Sequence, residues 1–155
     1  MGLTKGDVLP DLALTAIDGG DLRLRSLAGQ PIVIYFYPKD DTPGCTLEAQ
    51  DFSSLISDFN AIGVTVIGVS KDSPAKHQKF QKKYDLAVTL ASDVDGVVLE
   101  AFGAWVEKSM YGKSYMGIDR STFLFDAYGK LVSVWRKVKV PGHAAEVLAA
   151  ARKLG

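Results

Sequence analysis

A central mixed β-sheet flanked by helices, an α/β fold, is predicted by three features of this 155-residue sequence. Two apolar runs without alternation, residues 32–37 and 64–69, bracket a segment of helical periodicity. Two further strand-like runs, residues 122–125 and 131–135, flank the turn-forming Asp126-Ala127-Tyr128-Gly129-Lys130 and lead to a closing amphipathic segment. The first set makes a βαβ unit, whose strands are parallel because a helix carries the chain back across the sheet. The second set makes a ββα unit with an antiparallel hairpin. A chain of this length fits one domain, expected to span residues 1–155.

The elements follow in order. Residues 8–13 alternate weakly and read as a short edge strand, and residues 17–21 as a turn. Leu22, Leu24 and Leu27 fit a second short strand running into a loop. Residues 32–37 are apolar at every position, as in a central strand covered on both faces. Phe52, Leu55, Ile56 and Phe59 recur at i, i+3, i+4 and i+7, one face of a helix that Gly63 would cap. Residues 64–69 form the second buried strand. Ser73 and Pro74 are N-cap and first-turn residues of a helix running to about Tyr84. Residues 87–90 fit a short strand, 92–96 a polar turn and 97–102 a short helix. Residues 104–117 read as a loop rich in aromatic and small residues. Ala144, Val147, Leu148, Ala151 and Leu154 mark one face of the last helix.

Composition excludes several function classes. Eighteen Lys and Arg balance eighteen Asp and Glu, so no global charge draws the chain to nucleic acid or a membrane surface. No segment approaches the length of an apolar membrane span, and the first residues hold no apolar run suited to a signal peptide. Two isolated histidines and one cysteine give no metal-ligand cluster. A single cysteine forms no internal disulfide, so the expected compartment is the cytoplasm.

That cysteine, Cys45, lies in Pro38-Lys39-Asp40-Asp41-Thr42-Pro43-Gly44-Cys45-Thr46, where a strand has ended and a helix is about to start. The unpaired N–H groups and the dipole of a helix N-terminus favour negative charge, which biases a thiol there towards thiolate. The helix end supplies on the order of 1 kcal/mol, so strong activation needs a nearby cation as well.

Pro38, Thr42 and Cys45 reproduce the P-x-x-x-T-x-x-C motif of peroxiredoxins. The string YFYPKDDTPGCTLEAQDF, with MYGKSYMGIDRSTFLF and WRKVKVPGH further on, closely resembles the bacterioferritin-comigratory (PrxQ-type) branch of that family. The likeness runs from about Gly6 to the last helix. It implies a thioredoxin-like fold with an N-terminal extension and an insertion between the βαβ and ββα halves. It also implies a thiol-dependent peroxidase acting on hydrogen peroxide and organic hydroperoxides without a cofactor, as a monomer. Cys45 would attack one peroxide oxygen and become a sulfenic acid. Arg120, matching the family's active-site arginine, would reach Cys45 because its strand neighbours residues 32–37 in such a sheet. The Thr42 hydroxyl and the N–H groups of Gly44 and Cys45 would hold the peroxide. Pro38 and Pro43 would stiffen the loop and keep water off the sulfur. Glu48 would orient Arg120.

One departure from the family bears on mechanism. Many members carry a resolving cysteine five residues after the first, where Gln50 stands, and others carry it near Phe80 and Gln81. If the sequence is the natural one, the sulfenic acid is resolved by an external thiol: thioredoxin, glutaredoxin or a small thiol. A single-turnover redox sensor or thiol-binding module using the same cysteine is the alternative. A thioredoxin-type reductase would need cysteine at Glu48, and a cysteine phosphatase would need arginine at Asp51. Arg136, beside Lys137 and Lys139, reads as a solvated face, with a secondary structural role near the site as the alternative. His77 reads as a packed helix residue and His143 as a cap or surface residue. Asp93-Val94-Asp95-Gly96 reads as a turn rather than a calcium loop. Trp105, Tyr111, Tyr115 and Met116 would line an apolar site wall or simply pack.

Overall fold

The computed structural model describes residues 2–154. Its centre is β3 (Ile32–Phe36), flanked by parallel β4 (Thr65–Ser70) on one side and antiparallel β8 (Ser121–Phe125) on the other. With β1 (Ala13–Ala16), β2 (Asp21–Arg23), β5 (Thr89–Ser92) and β9 (Leu131–Trp135) the sheet order is β2-β1-β5-β4-β3-β8-β9. Val33, Tyr35 and Tyr37 enter one apolar cluster, while Ile32, Ile34 and Phe36 enter another on the opposite face. Both faces of β3 are covered, and this is why its sequence does not alternate.

The first cluster is completed by α1 (Pro43–Ser54), α2 (Ile56–Ala61), α3 (Pro74–Tyr84) and α5 (His143–Arg152). The second holds Val98, Leu99 and Phe102 of α4 (Val97–Phe102) against Phe123 and Phe125. The predicted helix around Phe52 and Phe59 is two helices. At Leu55 the N–H turns to the Phe52 carbonyl at 3.1 Å, a tightened turn that restarts the helix while both phenylalanines stay buried. Ser73 caps α3 by accepting from the Lys76 N–H at 3.3 Å.

Three expectations need correction. Residues 8–13 are not a strand: Val8 makes an isolated bridge to Lys130, and β1 begins only at Ala13. Leu24 and Leu27 belong to a 3₁₀ turn, Leu24–Leu27, rather than to β2. The segment 104–117 is not a loop but a hairpin of β6 (Trp105–Met110) and β7 (Lys113–Ile118), a separate two-stranded sheet. Tyr111, Tyr115 and Met116 are exposed on it and line no site wall; Trp105 is half-buried with Lys71 Nζ 4.6 Å above its ring. The 92–96 turn is as expected, with the Asp93 carboxylate accepting from the N–H groups of Val98 and Leu99 at 3.3 and 2.7 Å.

Candidate active site

The site is built where β3 hands over to α1. Thr42 is the N-cap, in extended conformation, and Pro43 occupies the first helical position, where its missing N–H costs nothing. The Thr46 N–H bonds the Thr42 carbonyl at 2.8 Å, so the first regular helical bond begins there. Among the described residues the N–H groups of Gly44 and Cys45 have no partner. Two donors and the positive end of the α1 dipole thus lie at Cys45.

Cys45 is buried in the cluster of Tyr35, Tyr37, Ala49 and Phe52. Arg120 comes from the turn before β8. The antiparallel pairing of Phe36 with Ser121 brings that turn to the end of β3. Its Nη2 donates to the Cys45 Sγ at 3.4 Å, and its Nη1 donates to Glu48 Oε1 at 2.7 Å. Gly44 makes room for this approach, since a Cβ there would meet Arg120 Nη2 at 3.2 Å. Arg120 therefore faces inward and bridges two residues one turn apart on α1, although 75 positions separate it from Cys45.

Burial pushes the Glu48 carboxyl up to about 7, and the attraction of Arg120 offsets only part of that rise. Glu48 Oε2 has no hydrogen-bond partner among the described residues, which fits a carboxyl poorly compensated for its burial. Arg120 moves the other way: burial works against its charge, but Glu48 and Cys45 outweigh it and hold the guanidinium above its ordinary range. It remains charged throughout.

The Thr42 hydroxyl is half-buried and donates to the Lys39 carbonyl at 2.9 Å. Its oxygen is left with lone pairs to accept a hydrogen bond from a peroxide O–H. Pro38 and Pro43 are both exposed. On its inner side Cys45 is covered by buried tyrosine, alanine and phenylalanine side chains.

Two further residues differ from their sequence reading. His143 is buried, neither cap nor surface; Gly142 is the N-cap of α5. The His143 ring stands edge-on to Phe52 and Trp135, and Thr122 Oγ1 lies 2.8 Å from Nε2. Burial, aided by the charge of Arg120, lowers its pKa from 6.5 to about 4. The ring is thus neutral, and Nε2 shares a hydrogen bond with the Thr122 hydroxyl. As pH falls from about 6.5 to about 4, the unfolded chain binds a proton that the native ring refuses. Native stability is lost across that window, by about 3 kcal/mol in all. A His143→Gln chain, which keeps a polar partner for Thr122, should lose this slope. Melting temperatures at several pH values between 6.5 and 4 check it, and identical slopes for the two chains would contradict it.

Arg136 is the other. It is not simply solvated: its guanidinium donates to the carbonyls of Gly103, Leu3 and Phe102 at 3.1–3.3 Å and lies 5.3 Å from the Phe123 ring centre. It satisfies carbonyls at the C-terminus of α4 and ties down the N-terminal segment. His77 is a packed helix residue as expected, but it also pairs with Asp40 in the loop before Cys45, which no local pattern announces. No group of three or more His, Cys, Asp or Glu suited to a metal occurs among the described residues.

Comparison with known proteins places this geometry. The AhpC/TSA family model matches residues 5–134. The putative peroxiredoxin bcp of Coxiella burnetii is 48% identical over 148 residues, covering 96% of this chain and 98% of that protein. Peroxiredoxin Bcp of Escherichia coli is 42% identical over 146 residues, 94% of each. A cysteine-to-serine mutant of Xylella fastidiosa PrxQ superposes with a TM-score of 0.93 at 39% identity, covering 99% of this chain and 98% of that one. The bacterioferritin comigratory protein of Xanthomonas campestris, described for its alkyl peroxide reduction activity, superposes with a TM-score of 0.89 at 47% identity, covering 95% and 98%. The fold is thus the thioredoxin-like one of the PrxQ structures, and the chain belongs to the AhpC/TSA family as a thiol peroxidase of the Bcp (PrxQ) branch of peroxiredoxins.

Proposed function

We propose that this peroxidase reduces hydrogen peroxide and organic hydroperoxides, alkyl hydroperoxides included, through a Cys45 sulfenic acid that an external thiol resolves. The observation that carries the reading is the conjunction at Cys45. The sulfur meets a guanidinium at 3.4 Å at the N-terminus of α1, in a chain with no second cysteine. The alkyl peroxide activity of the Xanthomonas campestris relative supports the substrate class.

Arg120 and the free N–H groups favour the anionic sulfur. The thiolate attacks one oxygen of the peroxide. An S–O bond forms, the O–O bond breaks, and the departing alkoxide or hydroxide takes up a proton. Thr42 accepts from the peroxide O–H, while Arg120 and the amides of Gly44 and Cys45 stabilise charge developing on oxygen. A thiol then condenses with the sulfenic acid, releasing water and leaving a mixed disulfide. A second thiol displaces Cys45 and departs as the oxidised disulfide. One peroxide and two thiols thus give one alcohol or water, one further water and one disulfide.

A groove of about 240 Å³ adjoins the loop before Cys45, lined by Phe80, by Lys39, Lys76, Lys79 and Lys83, and by Asp40, Asp41 and Asp72. Lys83 is held by Asp41, but Lys39, Lys76 and Lys79 have no ion pair among the described residues. Intact-mass measurement after one equivalent of peroxide and excess glutathione tests the reading. The expected species is a glutathione adduct lost in Cys45→Ser, with continued peroxide consumption. A mass that is unmodified or only hyperoxidised, without turnover on any thiol tried, would overturn external resolution.

A further inference from the structure

The loop that carries Thr42 and leads to Cys45 is held from α3 by a buried contact between His77 and Asp40. His77 is fully buried and Asp40 nearly so. His77 Nδ1 lies 2.6 Å from Asp40 Oδ2 and 3.4 Å from the Tyr37 hydroxyl, and His77 Nε2 lies 2.9 Å from the Ala91 carbonyl. Both ring nitrogens thus have hydrogen-bond partners. The other Asp40 oxygen accepts from the Tyr37 hydroxyl at 2.5 Å. The Asp40 N–H in turn donates to Asp72 Oδ2 at 2.8 Å, and the Ser70 hydroxyl holds that same oxygen at 2.6 Å.

The next residue is anchored too. Asp41 adopts a left-handed conformation at φ 59°, and its carboxylate accepts from Lys83 at 2.8 Å and Tyr84 at 2.5 Å, both on α3. Thr42 follows directly, with its hydroxyl tied to the Lys39 carbonyl. A buried polar contact of this kind is a poor way to add stability, because desolvation of both groups cancels most of its attraction. What it does supply is direction: each partner accepts only one arrangement of the other.

We propose that Asp40 and His77 are positioning residues for peroxide reduction. They fix the loop in the register that aims the Thr42 hydroxyl and the Cys45 sulfur at the same peroxide molecule. Neither touches the reacting atoms. The groups facing the pair are Tyr37 at the end of β3, Asp72 between β4 and α3, and the Ala91 carbonyl of β5. None of these is Arg120 or Glu48, so the pair sets geometry independently of the charge beside the sulfur.

The test separates peroxide reactivity from sulfur reactivity in Asp40→Asn, His77→Leu and His77→Asn. Three quantities are measured well below each melting temperature: the rate of reaction with peroxide, the rate of Cys45 alkylation by iodoacetamide, and the melting temperature itself. His77→Leu and Asp40→Asn should each slow the peroxide step at least tenfold. Alkylation should change less than about threefold, because Arg120 and the α1 N-terminus remain. His77→Asn, whose amide can donate to Asp40 from nearly the Nδ1 position, should recover part of the peroxide rate. If His77→Leu does not fold, the same comparison between Asp40→Asn and His77→Asn decides. Variants that melt earlier yet reduce peroxide at the native rate would reduce the pair to a structural role and overturn the proposal. So would equal losses in both rates, which would place the defect at the sulfur.

Discussion

An Arg120→Met chain should react with peroxide about 10²–10³-fold more slowly than the native one, the size of effect seen when a donor to developing charge is removed. The guanidinium is the one side-chain donor to Cys45 Sγ among the described residues, at 3.4 Å. Its loss removes the positive charge beside the attacking sulfur and a donor for the oxygen that leaves. It also strands Glu48, which is buried and whose Oε1 has no other hydrogen-bond partner among the described residues. Without that guanidinium the Glu48 carboxyl takes up a proton rather than remain a lone buried charge. The stability cost is therefore smaller than the kinetic one. Arg120→Lys should recover only part of the rate, since an ammonium cannot place two parallel donors on Glu48 and Cys45. Stopped-flow measurement of peroxide reduction by the pre-reduced enzyme reads the effect. A rate within threefold of native for Arg120→Met would remove Arg120 from the mechanism.

The second large effect concerns the floor of the site. A Gly68→Ala chain should be destabilised by about 1–3 kcal/mol, the cost of forcing a methyl into a packed core. The added Cβ would stand 2.5 Å from the Tyr35 Oη and Cζ atoms and 2.9 Å from Cε1. Tyr35 has little room to yield. It is fully buried, stacked on Phe52 at 4.5 Å between centroids, and near Tyr37 at 5.7 Å. Gly68 is required here for space alone, because the strand register that pairs it with Tyr35 lays the ring across the β4 backbone. For a chain of this size the melting temperature should fall by about 2–4 °C per kcal/mol. Tyr35→Phe supplies the control. The Tyr35 hydroxyl is buried without a partner among the described residues, so removing it should leave the melting temperature unchanged or raise it. Thermal denaturation of both chains checks the pair. A Gly68→Ala chain that melts with the native one would show that the ring moves freely, contrary to the packing described.

Much of this protein is legible in its residues because the deciding forces there are local. The apolar run at β3 and the Ser73-Pro74 start of α3 each carry their own physical signal: uniform burial in the first, a capping hydroxyl and a ring that needs no N–H in the second. The β6–β7 hairpin was not legible. Its residues are largely exposed on both faces, so neither alternation nor an apolar run marks it. Arg136 looked like part of a solvated basic run because its partners are backbone carbonyls, which have no sequence signature. His143 looked like a surface residue because Phe52 and Trp135, which enclose it, lie on other elements.

By itself the sequence determined that one cysteine would sit at a helix N-terminus in an α/β sheet, since strand end, proline and helical period lie within one short stretch. Only the tertiary structure decided what surrounds that sulfur. The pairing of β3 with β8 delivers Arg120, and the packing of α3 beneath the loop delivers His77 to Asp40. The reason is physical: hydrogen bonds and charge pairs between distant segments depend on which strands become neighbours, and that choice is made by burying both faces of the sheet at once.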